Sequence, residues 1–179
     1  GGPRMSLPSL SLILGGAASG KSAYAEGLVR GRSGRRVYIA TAQAFDSEME
    51  AKIAAHRQAR AGDDWDTVEA PLALADAVGG LAAGDVALVD CATLWLSNLM
   101  LADRDWQAET RALMASLAAC PCPVVVVSNE VGQGIVPENA LARVFRAAQG
   151  GLNQKLAAEA GFVAMVVAGL PMVLKGDGP

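Results

Sequence analysis

The chain has 179 residues, 52% of them hydrophobic, with 15 basic against 18 acidic residues and a net charge of -3. That is enough apolar material to bury a full core in one domain, and it leaves no surplus of positive charge to neutralise a nucleic-acid backbone, so no nucleic acid is expected as a partner. The longest apolar stretches, 93–101 and 162–174, fall short of the about 20 residues a bilayer span needs or are broken by Gly and Pro, so no membrane span is expected.

Residues 1–9 read as an N-terminal extension, with Gly1 to Arg4 ahead of Met5 as a cloning remnant, and 10–179 as a single α/β domain. No apolar leader with a cleavage pattern is present, and a cytoplasmic location is expected. Residues 10–14 are the first of five short aliphatic runs that predict buried strands; the others are 37–41, 86–90, 124–128 and 162–167. Such strands alternating with helices predict a mostly parallel sheet with helices on both faces, and a last run at 172–174 predicts an antiparallel edge strand.

The first strand runs into Gly15, Gly16, Ala17, Ala18, Ser19, Gly20, Lys21 and Ser22, which fit G-x-x-x-x-G-K-[ST] between a strand and a helix, the setting of a P-loop. The glycines let the backbone wrap a phosphate chain, the amides and helix N-terminus point at its oxygens, Lys21 reaches the terminal phosphates and Ser22 can ligate Mg2+. The competing reading is a glycine-rich turn with no ligand. The pattern places the fold among P-loop NTPase-like α/β proteins.

After the second strand, a helix is predicted from Ser47, where Ser47 and Glu50 form a capping box and Met49 and Ile53 supply the inward stripe. It carries the one histidine of the sequence, His56, with Arg57 beside it and Arg60 one turn further on the same face. Two guanidiniums beside an imidazole suit a nucleoside triphosphate, clamping its charge while a ring nitrogen attacks phosphorus. A solvated surface histidine is the alternative. The Ala-rich stretch 71–84 reads as ordinary helix former with loop glycines.

The third strand ends at Asp90, placed either to hold Mg2+ together with Ser22 or to cap the helix that follows. Cys91, Cys120 and Cys122 lack the spacing of a zinc site and read as reduced, structural thiols. Asn129 and Glu130 close the fourth strand in "NEVGQGIVPEN", where Gly132 and Gly134 would let a loop approach a ligand or a neighbouring subunit, or the segment simply starts the next helix. That helix is expected after Pro137, with Leu141, Val144, Phe145, Ala148, Leu152 and Leu156 on its inner face and a kink or change of partner at Gly150-Gly151.

Five stretches together, "GGAASGKS", "YIATAQAFDSEMEAKIAAHR", "DCATLWLSNL", "VSNEVGQGIVPENALARVFR" and "LNQKLAA", resemble the bifunctional adenosylcobinamide kinase/adenosylcobinamide-phosphate guanylyltransferase family of cobalamin biosynthesis. The similarity runs from about Leu10 to the C-terminus. It implies a homotrimer of P-loop α/β subunits and two reactions. In one, the γ-phosphate of ATP or GTP passes to the hydroxyl of the aminopropanol arm of adenosylcobinamide. In the other, a histidine takes GMP from GTP and passes it to adenosylcobinamide phosphate. The family's covalent histidine falls on His56, and Lys21 serves catalysis in the P-loop. Nucleotide contacts carry over to Gly15 through Ser22, to Ala40, Thr41 and Ala42, to Arg57, Gln58, Ala59 and Arg60, to Glu69 and to Asp90, with Mg2+ on Ser22 and Asp90. Some relatives have Glu in place of Asp90, and the stretch between His56 and Trp65 departs from the family pattern. Two other readings stay open: a P-loop kinase of another small alcohol or nucleoside, and a nucleotide-dependent switch.

Overall fold

A computed structural model describes residues 7–130 and 139–178. Its strands are β1 (Leu10–Gly15), β2 (Arg35–Ala40), β3 (Trp65–Glu69), β4 (Asp85–Asp90), β5 (Val124–Asn129), β6 (Phe162–Val167) and β7 (Leu170–Lys175). Between them run α1 (Lys21–Arg30), α2 (Ser47–Gly62), α3 (Leu74–Gly79), α4 (Ala92–Leu101), α5 (Trp106–Ala119) and α6 (Ala140–Glu159). The strands form one sheet in the order β3-β2-β4-β5-β1-β6-β7, parallel throughout except for β7, which pairs antiparallel with β6.

The central strands are apolar along their length because both faces of the sheet are covered. Alternate residues feed two cores, as the period of two requires. Leu10, Leu12 and Leu14 of β1 and Val124 and Val126 of β5 pack with Leu74, Trp95, Leu113, Leu152 and Leu156 from α3 to α6. Ile13, Val125 and Val127 point the other way, towards Ala25 and Val29 of α1. The strand order reverses beside β1, and the carboxyl ends of β1, β5, β4 and β2 open onto one edge, where open α/β sheets bind ligands.

The five expected strands and the antiparallel edge are present, and β3 is an addition. Its sequence, WDTVE, buries only Trp65 fully, so it lacks the continuous apolar run that marks an inner strand. The cap of α2 is Asp46 rather than Ser47: Asp46 is extended and its carboxylate accepts from the Met49 amide at 2.7 Å, which makes Ser47 the first helical residue. A charged acceptor at the positive end of the helix outcompetes the neighbouring hydroxyl. The inward stripe expected of α2 is also absent; Met49 is 43% exposed and no residue of the helix is buried.

In α6 the cap is Asn139, which accepts from the amides of Leu141 and Ala142. Pro137, with Gly132 and Gly134, lies outside the described residues. The helix remains helical through Gly150 and Gly151, and its inner face is buried only from Ala148 onwards, while Leu141 and Val144 are exposed. Those two were expected inside because spacing alone cannot tell where along a helix the sheet beneath it ends.

Candidate active site

The loop after β1 is built to expose amides. Several of its carbonyls are engaged: Gly15 accepts from the Glu130 amide at 3.1 Å, Ser19 from the Gly169 amide at 2.7 Å and Gly20 from the Tyr24 amide at 3.0 Å. Gly16 accepts from Lys21 Nζ at 2.9 Å, so the lysine lies back across the loop. Gly20 sits at φ 92, where a β-carbon would also come within 3.1 Å of Gly169 Cα in the β6–β7 turn, so glycine is required twice over. Gly20 is the N-cap of α1, which has no side-chain cap and no acid in its first turn. By contrast α2, α4, α5 and α6 each have a side-chain cap, from Asp46, Cys91, Asp105 and Asn139. An uncapped helix start behind a glycine loop leaves amides of the kind that anions bind, although α3, without a glycine loop, also lacks a side-chain cap.

The acid of the site is Asp90. It does not cap α4; Cys91 does, its Sγ accepting from the Leu94 amide. That removes the capping reading and leaves the carboxylate at the strand end, where it accepts a hydrogen bond from the Tyr38 hydroxyl at Oδ2. Burial, then the charge of Asp90, pushes the Tyr38 phenol well above its usual range, so it acts as a donor. Burial likewise raises the Cys91 thiol, in keeping with a structural role. In the ladder Ala40 stands opposite both Asp90 and Glu69, so these three candidates sit side by side at the carboxyl edge.

Thr41 is wholly buried. Its hydroxyl donates to the Cys91 carbonyl and accepts from the Cys91 amide, both at 2.8 Å, and its own carbonyl accepts from Asn98 Nδ2 at 2.8 Å. Its side chain therefore clasps β2 to β4.

The residues of α2 divide. Arg57 pairs with Glu69 at 3.2 Å, and both line a cleft of about 570 Å³ with Ala42, Gln43, Ala44, Glu50, Ile53, Ala54 and Pro71. Arg60 turns inward, its guanidinium 3.9 Å above the Tyr38 ring and its Nε donating to Thr67 Oγ1 at 3.4 Å. His56, Gln58 and Ala59 are exposed. The α2 cleft and the P-loop thus lie on opposite sides of Asp90, with β4 and β5 between β2 and β1, roughly 14 Å at ordinary strand spacing.

Sequence reasoning missed the residues that hold this edge in place. Glu26 of α1 is half-buried near Asp90 and Arg60; burial raises its pKa, Arg30 opposes the rise and the charge of Asp90 adds to it. Beneath the loop, Ser128 donates to Asn153 Oδ1 at 2.6 Å, Gln149 Nε2 donates to Ser128 Oγ at 2.8 Å, and Thr93 Oγ1 accepts from the Asn129 amide at 2.8 Å. This buried network fixes the end of β5, which pairs Asn129 with Gly15. The only signal in sequence is polar residues on otherwise apolar inner faces.

Ser22 and Asp90 are oxygen donors of the kind Mg2+ takes, a hydroxyl and one carboxylate completed by phosphate oxygens and water. Among the described residues there is no cluster of three or more His, Cys, Asp or Glu, so any metal here would depend on the nucleotide for its remaining ligands. With Oδ2 of Asp90 accepting from Tyr38, Oδ1 is the oxygen with both lone pairs to offer. The residues fit the ion.

Comparison with known proteins bears on what this edge does. The family described as cobinamide kinase / cobinamide phosphate guanyltransferase (CobU) matches residues 11–174. The bifunctional adenosylcobalamin biosynthesis protein CobP of Pseudomonas aeruginosa is 49% identical over 170 residues, covering 93% of this chain and 97% of that protein. The bifunctional adenosylcobalamin biosynthesis protein CobU of Escherichia coli K12 is 42% identical over 180 residues, covering 92% and 98%. Among solved structures, the RadB recombinase overlays with a TM-score of 0.53 at 15% identity, over 89% of this chain and 74% of that one. A type III secretion ATPase overlays with a TM-score of 0.56 at 12% identity, over 92% and 56%. These two likenesses concern the fold alone.

Proposed function

Since the chain belongs to the cobinamide kinase / cobinamide phosphate guanyltransferase family of adenosylcobalamin biosynthesis, we propose that it carries out both reactions, with the P-loop serving the kinase step and His56 the guanylyl transfer. The observation that carries this reading is the pairing, on one sheet edge, of an uncapped phosphate loop with a histidine-bearing helix whose Arg57, together with Glu69 of β3, lines a nucleotide-sized cleft.

In the kinase step the amides of Gly15 to Ser22 and the α1 N-terminus hold the phosphates of ATP or GTP, and Lys21 swings from Gly16 to the terminal phosphates. The hydroxyl of the aminopropanol arm of adenosylcobinamide attacks the γ-phosphorus and gives up its proton to solvent, while the bond to the bridging oxygen breaks and the nucleoside diphosphate leaves. Ser22 and Asp90 would hold Mg2+, which neutralises charge developing on the phosphates.

In the second step a ring nitrogen of His56 attacks the α-phosphorus of GTP. A nitrogen–phosphorus bond forms, the bond to the bridging oxygen breaks and pyrophosphate leaves. A phosphate oxygen of adenosylcobinamide phosphate then attacks the same phosphorus, releasing the imidazole and giving adenosylcobinamide-GDP. Arg57, Gln58, Ala59, Arg60, Glu69 and the Ala40 to Ala42 turn contribute to the guanosine site. Family membership further supports a cytoplasmic homotrimer.

The test is incubation with Mg2+ and GTP labelled at the α-phosphate, followed by denaturation and peptide mapping, with His56→Ala in parallel. An acid-labile label on the peptide containing His56, missing in the variant, is the expected result. No label on protein that binds GTP, together with no phosphorylation of adenosylcobinamide, overturns the proposal.

A further inference from the structure

Asp90 is held at the end of β4 by a side chain from the neighbouring strand. Tyr38 pairs with Leu88, two residues before Asp90, and its hydroxyl donates to Asp90 Oδ2. The phenol is 6% exposed and its ring is fixed from two directions. Trp65 meets it edge-on, with centroids 5.6 Å apart and planes at 79°. The Arg60 guanidinium lies 3.9 Å from the ring centre, and is itself steered by its hydrogen bond to Thr67. No other described side chain donates a hydrogen bond to the Asp90 carboxylate. A ring fixed on both sides gives the hydroxyl one position, and the hydroxyl gives the carboxylate one orientation.

We propose that Tyr38 is a positioning residue that tunes the metal preference of the site: by holding Oδ2 it turns the Asp90 carboxylate so that Oδ1 is presented to the metal, and so favours one-oxygen coordination and Mg2+ over Ca2+. This rests on the reading of Asp90 as the metal-binding acid. Mg2+ is small, demands near-octahedral geometry and is satisfied by one oxygen from a carboxylate, whereas Ca2+ is larger, takes more ligands and accepts both oxygens of one carboxylate. A carboxylate pinned at one oxygen offers the smaller ion a directed ligand and disfavours the rotation that a bidentate grip on the larger one requires. Tyr38 touches neither nucleotide nor corrinoid in this scheme; it acts through Asp90.

The experiment titrates Mg2+ and, separately, Ca2+ into protein saturated with a non-hydrolysable GTP analogue, by calorimetry, for wild type, Tyr38→Phe and Asp90→Asn. Phe keeps the ring contacts with Trp65 and Arg60, and affinity for the analogue in EDTA checks that the fold is intact. In Tyr38→Phe, Mg2+ affinity is expected to fall about tenfold, as when an outer-shell partner of a metal ligand is lost, with Ca2+ affinity unchanged or higher. In Asp90→Asn both metals weaken. If Asp90→Asn loses metal affinity but Tyr38→Phe leaves the ratio of the two metals as it was, the role of Tyr38 is overturned and Asp90 keeps its own. If Asp90→Asn binds both metals as wild type does, the reading of Asp90 fails and the role of Tyr38 with it.

Discussion

Helices α1 and α2 both face the carboxyl edge of the sheet, yet they are held in opposite ways. Helix α1 is inserted into the core through Ala25 and Val29, and the loop before it has its carbonyls engaged on several sides. Helix α2 buries nothing; it is fastened by Arg60 on Tyr38, by Arg57 on Glu69 and by Ile53 at the cleft. The difference follows what each must do in the proposed reactions. A phosphate site gains from amides fixed before the ligand arrives, whereas a nucleophile that first attacks GTP and then presents GMP to a bulky acceptor gains from a helix with little to hold it in place. Weakly packed elements are also those that open at low free-energy cost.

The sharpest break of that contrast is His56→Ala, which is expected to abolish covalent labelling by α-labelled GTP while leaving P-loop binding of ATP, followed by calorimetry, unchanged. Next comes Lys21→Ala, for which phosphorylation of adenosylcobinamide should fall by about a hundredfold or more, the scale for removing one preorganised stabilising group, while His56 still accepts label. The rigid side is tested by Gly20→Ala. A side chain at φ 92 costs about 1–2 kcal/mol from backbone strain alone. The close approach of Gly169 adds to it, so both the urea midpoint and ATP affinity should drop.

The loosely held side is tested by Arg60→Ala. Loss of the guanidinium over Tyr38 removes about 1 kcal/mol, so amide exchange within α2 should speed up about fivefold with α1 unaffected. Exchange rising equally in both helices would show that α2 is not a separately held unit. Near neutral pH the smallest effect lies at the far end of the sheet, where Cys122 precedes β5. Burial, and then the neighbouring Cys120 thiol, push Cys122 up to about 12. A thiol in the unfolded chain titrates near about 8.5. The folded protein keeps that proton while the unfolded chain loses it, so this contribution is full below about pH 8.5 and is lost as pH rises towards 12. Urea melts at rising pH should show the decline, and Cys122→Ala should flatten it.

The two helices also differ in how readable they are. The phosphate loop is contiguous, so its eight residues announce it, and each is where the pattern puts it. For α2 the histidine and the arginines are visible, but the start is displaced by one residue because Asp46 and Ser47 are both good caps and only the backbone at Asp46 decides between them. The partners of α2 cannot be read at all: Glu69 lies on β3, which hides behind an edge-strand sequence, and Thr67 and Tyr38 become neighbours of Arg60 only once β2 and β3 pair. The Tyr38 to Asp90 contact joins positions 52 residues apart with no shared motif.

The sequence by itself determined the parallel α/β sheet, the phosphate loop, the histidine and the family, because strand runs and glycine spacing are local and survive without knowledge of neighbours. Tertiary structure decided what each polar group is free to do. It gave the α4 cap to Cys91 and so released Asp90, turned that carboxylate by means of Tyr38, closed Thr41 into a clasp and left α2 unburied. Availability of a donor or acceptor depends on which groups the packed sheet brings within hydrogen-bond reach, and that pairing exists only after distant strands align.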